Sequence, residues 1–129
     1  MAASLLSMKT LLLISMMTPT FASASLMYCE YSFFGAPAGT VRIEVADDGT
    51  PAETATITMF HTPTQNAPVT PLDKNPGEMF NVVLFKDNPQ NEIFMVVNTP
   101  SAEGSIKSKL INPKMSGISK EIPGACKLQ

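Results

Sequence analysis

The feature that most constrains the fold is a period-two alternation of apolar and polar residues in short segments. In the first such segment, 26–33, every second residue is apolar. A period of two places these side chains on one face of an extended strand. The segment therefore predicts a strand whose inner face is formed by Met27, Cys29, Tyr31 and Phe33.

The segments 40–46 and 52–60 alternate in the same way, and turn residues join them. Asp48-Gly49 suits a tight turn, because Asp and Gly tolerate the positive φ angles that such turns need. Residues 40–60 therefore predict a β-hairpin with Ile43 and Ile57 on its inner face.

Further short segments with β-branched, aromatic or alternating residues follow, separated by Asn-Pro pairs and glycines. The residue before a proline avoids helical backbone angles, so these pairs mark loops. Seven or eight short strands at this spacing predict an all-β fold, a small antiparallel sandwich or barrel. The remaining predicted strands are 79–86, 92–98, 105–111 and 118–122, after which Pro123-Gly124 leads to Cys126.

The segment 61–78 has four prolines and little periodicity, which predicts a long Pro-rich loop. There is room in it for one short extended piece around Val69. Loops of this length either cross between strands as mobile connections or carry a binding surface. We keep both interpretations for this segment.

The first 24 residues have the order of a secretory signal peptide. Lys9 precedes an apolar run, and Ala22 and Ala24 form an A-x-A cleavage site. We expect cleavage after Ala24, which leaves a single β domain, 25–129, without a transmembrane segment and in a secreted or periplasmic location. Met8 is an alternative start, because Met8-Lys9 forms a basic head.

The two cysteines, Cys29 and Cys126, lie near opposite ends of the predicted domain. An isolated pair of cysteines in an oxidising compartment normally forms a disulfide. A lipid anchor on Cys29 is disfavoured, since bulky Tyr28 precedes it. A metal site is disfavoured as well, because structural zinc takes four ligands and His61 is the only histidine. We therefore predict a Cys29–Cys126 disulfide, with no metal and no cofactor.

The charge of the chain is uneven, although acidic residues outnumber basic ones and the formal net charge is −2. General nucleic-acid binding needs a basic surface, so we exclude it. The last 25 residues nevertheless hold five lysines and one acid. A basic strip there could meet an acidic protein or an envelope surface, or its lysines could simply be solvated. The strip consists of Lys107, Lys109, Lys114 and Lys120.

The sequence contains none of the motifs that usually carry catalysis, such as a nucleophile elbow, a phosphate-binding glycine loop or a zinc-binding histidine pair. His61 follows a predicted strand, where a loop histidine or a pH-sensitive contact is expected. We therefore predict a non-enzymatic exported domain that binds a protein or an envelope component. A further function class that we consider is a small hydrolase that uses carboxylates.

A cysteine near each end of a small exported β domain is similar to the layout of the periplasmic lysozyme-inhibitor barrels. Those inhibitors present a Ser-Gly-containing loop to the enzyme, and Ser116-Gly117 would correspond to it. The resemblance implies an alternative function, a secreted or periplasmic inhibitor of an envelope-directed hydrolase.

Overall fold

Eight antiparallel strands form a closed barrel in which each strand pairs with its neighbours in the chain and β8 pairs with β1. This is the fold of the computed structural model, which describes residues 24–59, 62–115 and 117–129, except the side chains of Ile118 and Ser119. The all-β prediction is confirmed, in its barrel form. The strands are β1 (Ser25–Phe33), β2 (Ala36–Val45), β3 (Pro51–Met59), β4 (Gln65–Leu72), β5 (Glu78–Leu84), β6 (Ile93–Asn98), β7 (Ile106–Ile111) and β8 (Glu121–Leu128), with a 3-10 helix, Gly117–Lys120, before β8.

The interior of the barrel is a packed apolar core, to which every strand contributes alternate residues. Met27, Cys29 and Tyr31 point inward as predicted, while Phe33 at the end of β1 is only half-buried. Inward and outward residues alternate because the side-chain period of a strand is two. The fully buried side chains also include Ile43, Val82, Leu84, Met95, Val97 and Leu110.

The predicted disulfide is present and joins the two strands that close the barrel. Cys29 on β1 lies directly opposite Cys126 on β8, with their Cα atoms 3.9 Å apart. The 97-residue sequence separation means that the bond closes nearly the whole domain into one loop. In the chain-entropy model such a cross-link stabilises the folded state by roughly 4–5 kcal/mol.

Tyr31 fills the interior between two glycines on the strands beside it. It pairs in register with Gly39 on β2 and Gly124 on β8, and a Cβ atom on Gly124 would collide with its ring. Its hydroxyl lies 2.7 Å from Ser108 Oγ, which donates to the carbonyl oxygen of Val96. Burial raises the pKa of the Tyr31 hydroxyl far above its ordinary value, so this group stays protonated and donates to Ser108.

The predicted loop over 61–78 contains an eight-residue strand, β4 (Gln65–Leu72), where the prediction allowed only one short extended piece around Val69. Ala67 and Val69 of this strand are buried in the core. Residues 65–68 are in register with β3, and residues 69–72 are in register with β5. A proline is tolerated where its missing N–H faces an open side of a strand, and each half of β4 has such a side.

The end of the chain also differs from the prediction of a strand over 118–122. The 3-10 helix Gly117–Lys120 occupies the start of that segment, and β8 continues through Pro123-Gly124 to Leu128. Pro-Gly usually indicates a turn. Here Gly124 stays extended because only a residue without a Cβ fits against Tyr31.

Candidate functional site

The alternating direction of the strands puts the loops at two opposite ends of the barrel. One end, called the apolar end below, carries the β1–β2, β3–β4, β5–β6 and β7–β8 loops. The acidic end carries the β2–β3, β4–β5 and β6–β7 loops together with the start of β1 and the end of β8. The two ends differ in composition, and the candidate site lies at the apolar end.

The β1–β2 turn at the apolar end consists of two residues, Phe34 and Gly35, because Phe33 pairs with Ala36. Their φ angles are 51° and 80°, as in a type I′ turn. Such turns favour Asn-Gly, since a left-handed backbone costs a residue with a Cβ about 1–2 kcal/mol. The sequence has Phe at this position, and its side chain is 81% exposed. A strained backbone that displays a large apolar side chain is typical of a functional position.

An apolar groove of about 370 Å³ lies beside this turn. The Phe34 ring packs edge-on against Phe33, with 4.7 Å between ring centroids, and Phe33 forms part of the groove wall. Met115 of the β7–β8 loop is also partly exposed there, at 46%. The groove is lined by Phe33, Ala36, Pro37, Ala38, Met59, Met115 and Ile122.

The mouth of the barrel at the same end forms a second depression, of about 220 Å³. Met59 lines both depressions, so the groove and the mouth are adjacent. The floor of the mouth is apolar and its rim carries side-chain amides and a hydroxyl. Ile57, Met59, Phe85 and Ile93 form the floor, and Thr62, Gln65, Gln90, Asn91 and Asn112 form the rim.

Lys114 is fixed at this rim by two hydrogen bonds. Its Nζ donates to Gln90 Oε1 over 2.9 Å, and its backbone N–H donates to Asn112 Oδ1 over 3.0 Å. The Lys114 ammonium therefore lies beside the mouth, held by a neutral amide rather than by a carboxylate. The described loops of this end contain three basic residues, Lys86, Lys114 and Lys120, and two acidic residues, Asp87 and Glu92.

The other members of the predicted basic strip are spread along the barrel. Lys107 and Lys109 point outward from β7, which runs toward the apolar end, and Lys120 is exposed in the 3-10 helix. Lys109 Nζ lies 3.8 Å from Glu121 Oε1 in a solvent-exposed ion pair. Only Lys114 and Lys120 of the strip therefore belong to the apolar end. His61 and Ser116 lie outside the described residues.

The outer wall carries a cluster that sequence reasoning missed. The Tyr28 ring lies between Arg42, 4.9 Å from its centroid, and Lys127, 5.9 Å from it. Neighbouring strands bring these residues together, since Tyr28 pairs with both of them in register. Cation–π contacts of this kind stabilise an exposed sheet surface.

The acidic end has a depression of about 320 Å³ that mixes apolar side chains such as Met79 with charged ones such as Lys74 and Glu78. Its exposed large apolar residues are Leu72 and Leu128. The carboxylates Asp47, Asp48, Asp73 and Glu103 dominate its loops. Hydrogen bonds from Thr50 lower the pKa of Asp48, whose Oδ1 accepts the Thr50 backbone N–H over 3.0 Å. This carboxylate therefore has a structural role in the β2–β3 turn.

Within the described ranges, no three His, Cys, Asp or Glu side chains are grouped closely enough to hold a metal ion. No helix in that part of the chain has the length and apolar character to cross a membrane. Comparisons with protein-family models, curated proteins and solved structures found no match. The functional argument therefore depends on the geometry of the apolar end.

Sequence reasoning also missed the apolar end, because it began the second strand at residue 40, whereas β2 begins at Ala36. One signal was present in the sequence. Phe34-Gly35 stands between two strands, at a position where Asn-Gly is the usual pair. An aromatic residue there conflicts with local turn chemistry, and such conflicts often mark functional positions.

Proposed function

We propose that the protein is a non-enzymatic binding module that holds a partner protein at the apolar end of its barrel. The observation that carries this proposal is Phe34, an exposed aromatic residue in a left-handed turn position that folding alone would give to Asn or Gly. Turn chemistry offers no reason for this residue. Recognition does, because aromatic anchors supply much of the energy of protein interfaces.

The arrangement around Phe34 supports the proposal. Phe34 is a protruding side chain, and the groove beside it is a recess lined only by apolar and small residues. Interfaces combine such anchors and recesses with a polar rim, here the amides of the barrel mouth. Recognition by strand addition is disfavoured, because the barrel is closed and the unpaired sides of β4 are only four residues long.

The order of residues 1–24 supports a location for this partner among exported or envelope proteins. If the partner is a hydrolase and its turnover falls when the barrel binds, the module acts as an inhibitor. The identity of the captured protein decides between these two forms of the same binding function.

A photo-crosslinking experiment tests the proposal directly. Phe34 is replaced by p-benzoylphenylalanine in the cells that produce the protein, and Leu128 at the acidic end is replaced in the same way as a matched control. We expect a discrete protein adduct from position 34 and none from position 128. Wild-type protein that lacks the crosslinking residue should suppress the adduct when it is produced in the same cells. The Phe34→Asn variant without the crosslinking residue should not suppress it.

The Phe34→Asn competitor makes this test selective, because Asn suits the turn and the variant should remain folded. Identical adducts from both positions would contradict the proposal. Equal competition by wild-type protein and Phe34→Asn would contradict it as well.

A further inference from the structure

We infer that the partner is bound as an acidic peptide segment, with an apolar side chain in the groove and its carbonyl and carboxylate oxygens on the rim of the mouth. This inference rests on the proposed function and names the chemistry of the partner. It follows from the donors that the structure places around Lys114.

The first step concerns the orientation of the rim amides. Lys114 donates to the side-chain oxygens of both Gln90 and Asn112. Each bond uses one acceptor site of an amide oxygen and none of the amide's N–H donors, so both NH₂ groups remain able to donate to a bound group. Together with the Lys114 ammonium, they make this part of the rim rich in donors. A donor-rich rim suits a ligand that presents oxygen acceptors.

The second step concerns the size and spacing of the two depressions. The groove is about 370 Å³, and the mouth is about 220 Å³. The groove lies near the lower end of the range for small-molecule pockets, roughly 300–1,000 Å³, and the mouth lies below it. They share Met59, so one short segment can place a side chain in the groove and its backbone over the mouth.

The third step concerns charge. The described loops of the apolar end carry three lysines against two carboxylates, a net charge of +1, while those of the opposite end carry four carboxylates against Lys74, a net charge of −3. An acidic segment is therefore attracted to the apolar end and repelled from the other. Peptide carbonyl oxygens match the amide donors, and a single apolar side chain matches the size of the groove.

Methionine methyl groups report on both ends of the barrel in one NMR experiment. Met59 lines the groove and the mouth, Met115 lines the groove, and Met79 lies beside the β2–β3 turn at the acidic end. The full chain, labelled with ¹³C at these methyl groups, is titrated with two pools of N-acetylated pentapeptide amides. Both pools have Leu or Phe at the centre, flanked by Asp or Glu in one pool and by Lys or Arg in the other.

We expect the acidic pool to shift the Met59 and Met115 signals and to leave Met79 in place. The basic pool should bind about two- to fivefold more weakly, the effect of one exposed charge pair. Lys114→Glu should reverse this order. Equal binding of the two pools, or no shift with either, would overturn the inference. Phosphatidylglycerol vesicles are titrated in the same way, and a response to these vesicles alone would overturn it as well.

A second variant removes one rim amide and leaves the formal charge of the rim unchanged. Gln90→Leu should weaken both pools by about two- to tenfold, the effect of losing one hydrogen bond. Asn98→Leu, at an exposed amide near the acidic end, is the matched control and should not change binding. If Gln90→Leu binds both pools as tightly as wild type, the assigned amide contact is wrong.

The two proposals fail in distinguishable ways. If the adduct at position 34 persists but the acidic pool is not preferred, only the peptide chemistry is wrong. If the adduct is absent, the binding function itself is wrong.

Discussion

The two ends of the barrel reverse the chain between strands with different residue types. At the acidic end, Gly49 takes the positive φ of the β2–β3 turn, and Asp48 accepts a hydrogen bond from Thr50. At the apolar end, Phe34 occupies a left-handed position and exposes its ring. The first turn follows local turn chemistry and the second departs from it. The apolar end therefore has a residue whose presence turn chemistry does not explain.

This comparison requires both ends to belong to one cooperative barrel, and the disulfide gives the largest test of that. Cys29→Ala combined with Cys126→Ala should lower the free energy of unfolding by about 4 kcal/mol, because the unfolded chain regains the entropy of a 97-residue loop. Urea titration should show the Met59 and Met79 methyl signals disappearing together. Separate midpoints for these signals would show that the two ends unfold independently.

Gly124→Ala tests the packing of the barrel interior, which both ends share. The added Cβ would meet the Tyr31 ring and the carbonyl oxygen of Glu30, so the variant should lose about 1–3 kcal/mol of stability by overpacking. Gly77→Ala has open space around its Cβ but a positive φ, so it should lose about 1 kcal/mol from backbone strain alone. The measurement is denaturant unfolding of both variants. A Gly124→Ala loss no larger than that of Gly77→Ala would contradict the packing argument.

Phe34→Asn tests the contrast between the turns themselves. Asn relieves the left-handed strain, while the edge-on contact with Phe33 is lost, so stability should stay equal or rise by up to about 1 kcal/mol. Thermal unfolding gives this change, and the crosslinking competition gives the accompanying loss of binding. A clear drop in stability would mean that Phe34 serves folding, and the contrast between the two ends would disappear.

Asp48→Ala should have the smallest effect, and that effect should depend on pH. The pKa of Asp48 is lowered in the folded state, so its contribution is present above the unfolded pKa and is lost as pH falls through the folded pKa. The variant should melt slightly below wild type at neutral pH, and the difference should shrink toward about pH 2. Asp47→Ala in the same turn is the control. A difference that stays constant over this range would rule out the carboxylate as its source.

Much of the barrel was predictable because strand patterns are local. The alternation in 26–33 and 40–60 predicted the inner faces of β1, β2 and β3, and the structure confirms them. The disulfide was predictable because only two cysteines are available. The strand β4 was predicted only as a short extended piece around Val69, because two prolines within it and two beside it outweighed the short apolar pattern of Ala67 and Val69.

The candidate site was much less predictable than the fold. The basic strip was predicted from the excess of lysines in the last 25 residues, but only two of its four lysines, Lys114 and Lys120, lie at the apolar end. Phe34, Met59 and Met115 are far apart in the sequence, and their proximity depends on the barrel bringing alternate loops to one end. The positive φ of Phe34 depends on the two-residue length of the turn, which is set by the pairing of β1 with β2.

Residue spacing and the number of thiols are enough to predict an all-β domain, the buried faces of its first strands and the cysteine pair, because these properties follow from local patterns. The closure of the sheet as a barrel, the extension of β8 through Gly124 past Tyr31, and the position of Phe34 beside an apolar groove are visible only in the folded molecule. Closure and packing join residues that are distant in the chain, and no local pattern records those contacts.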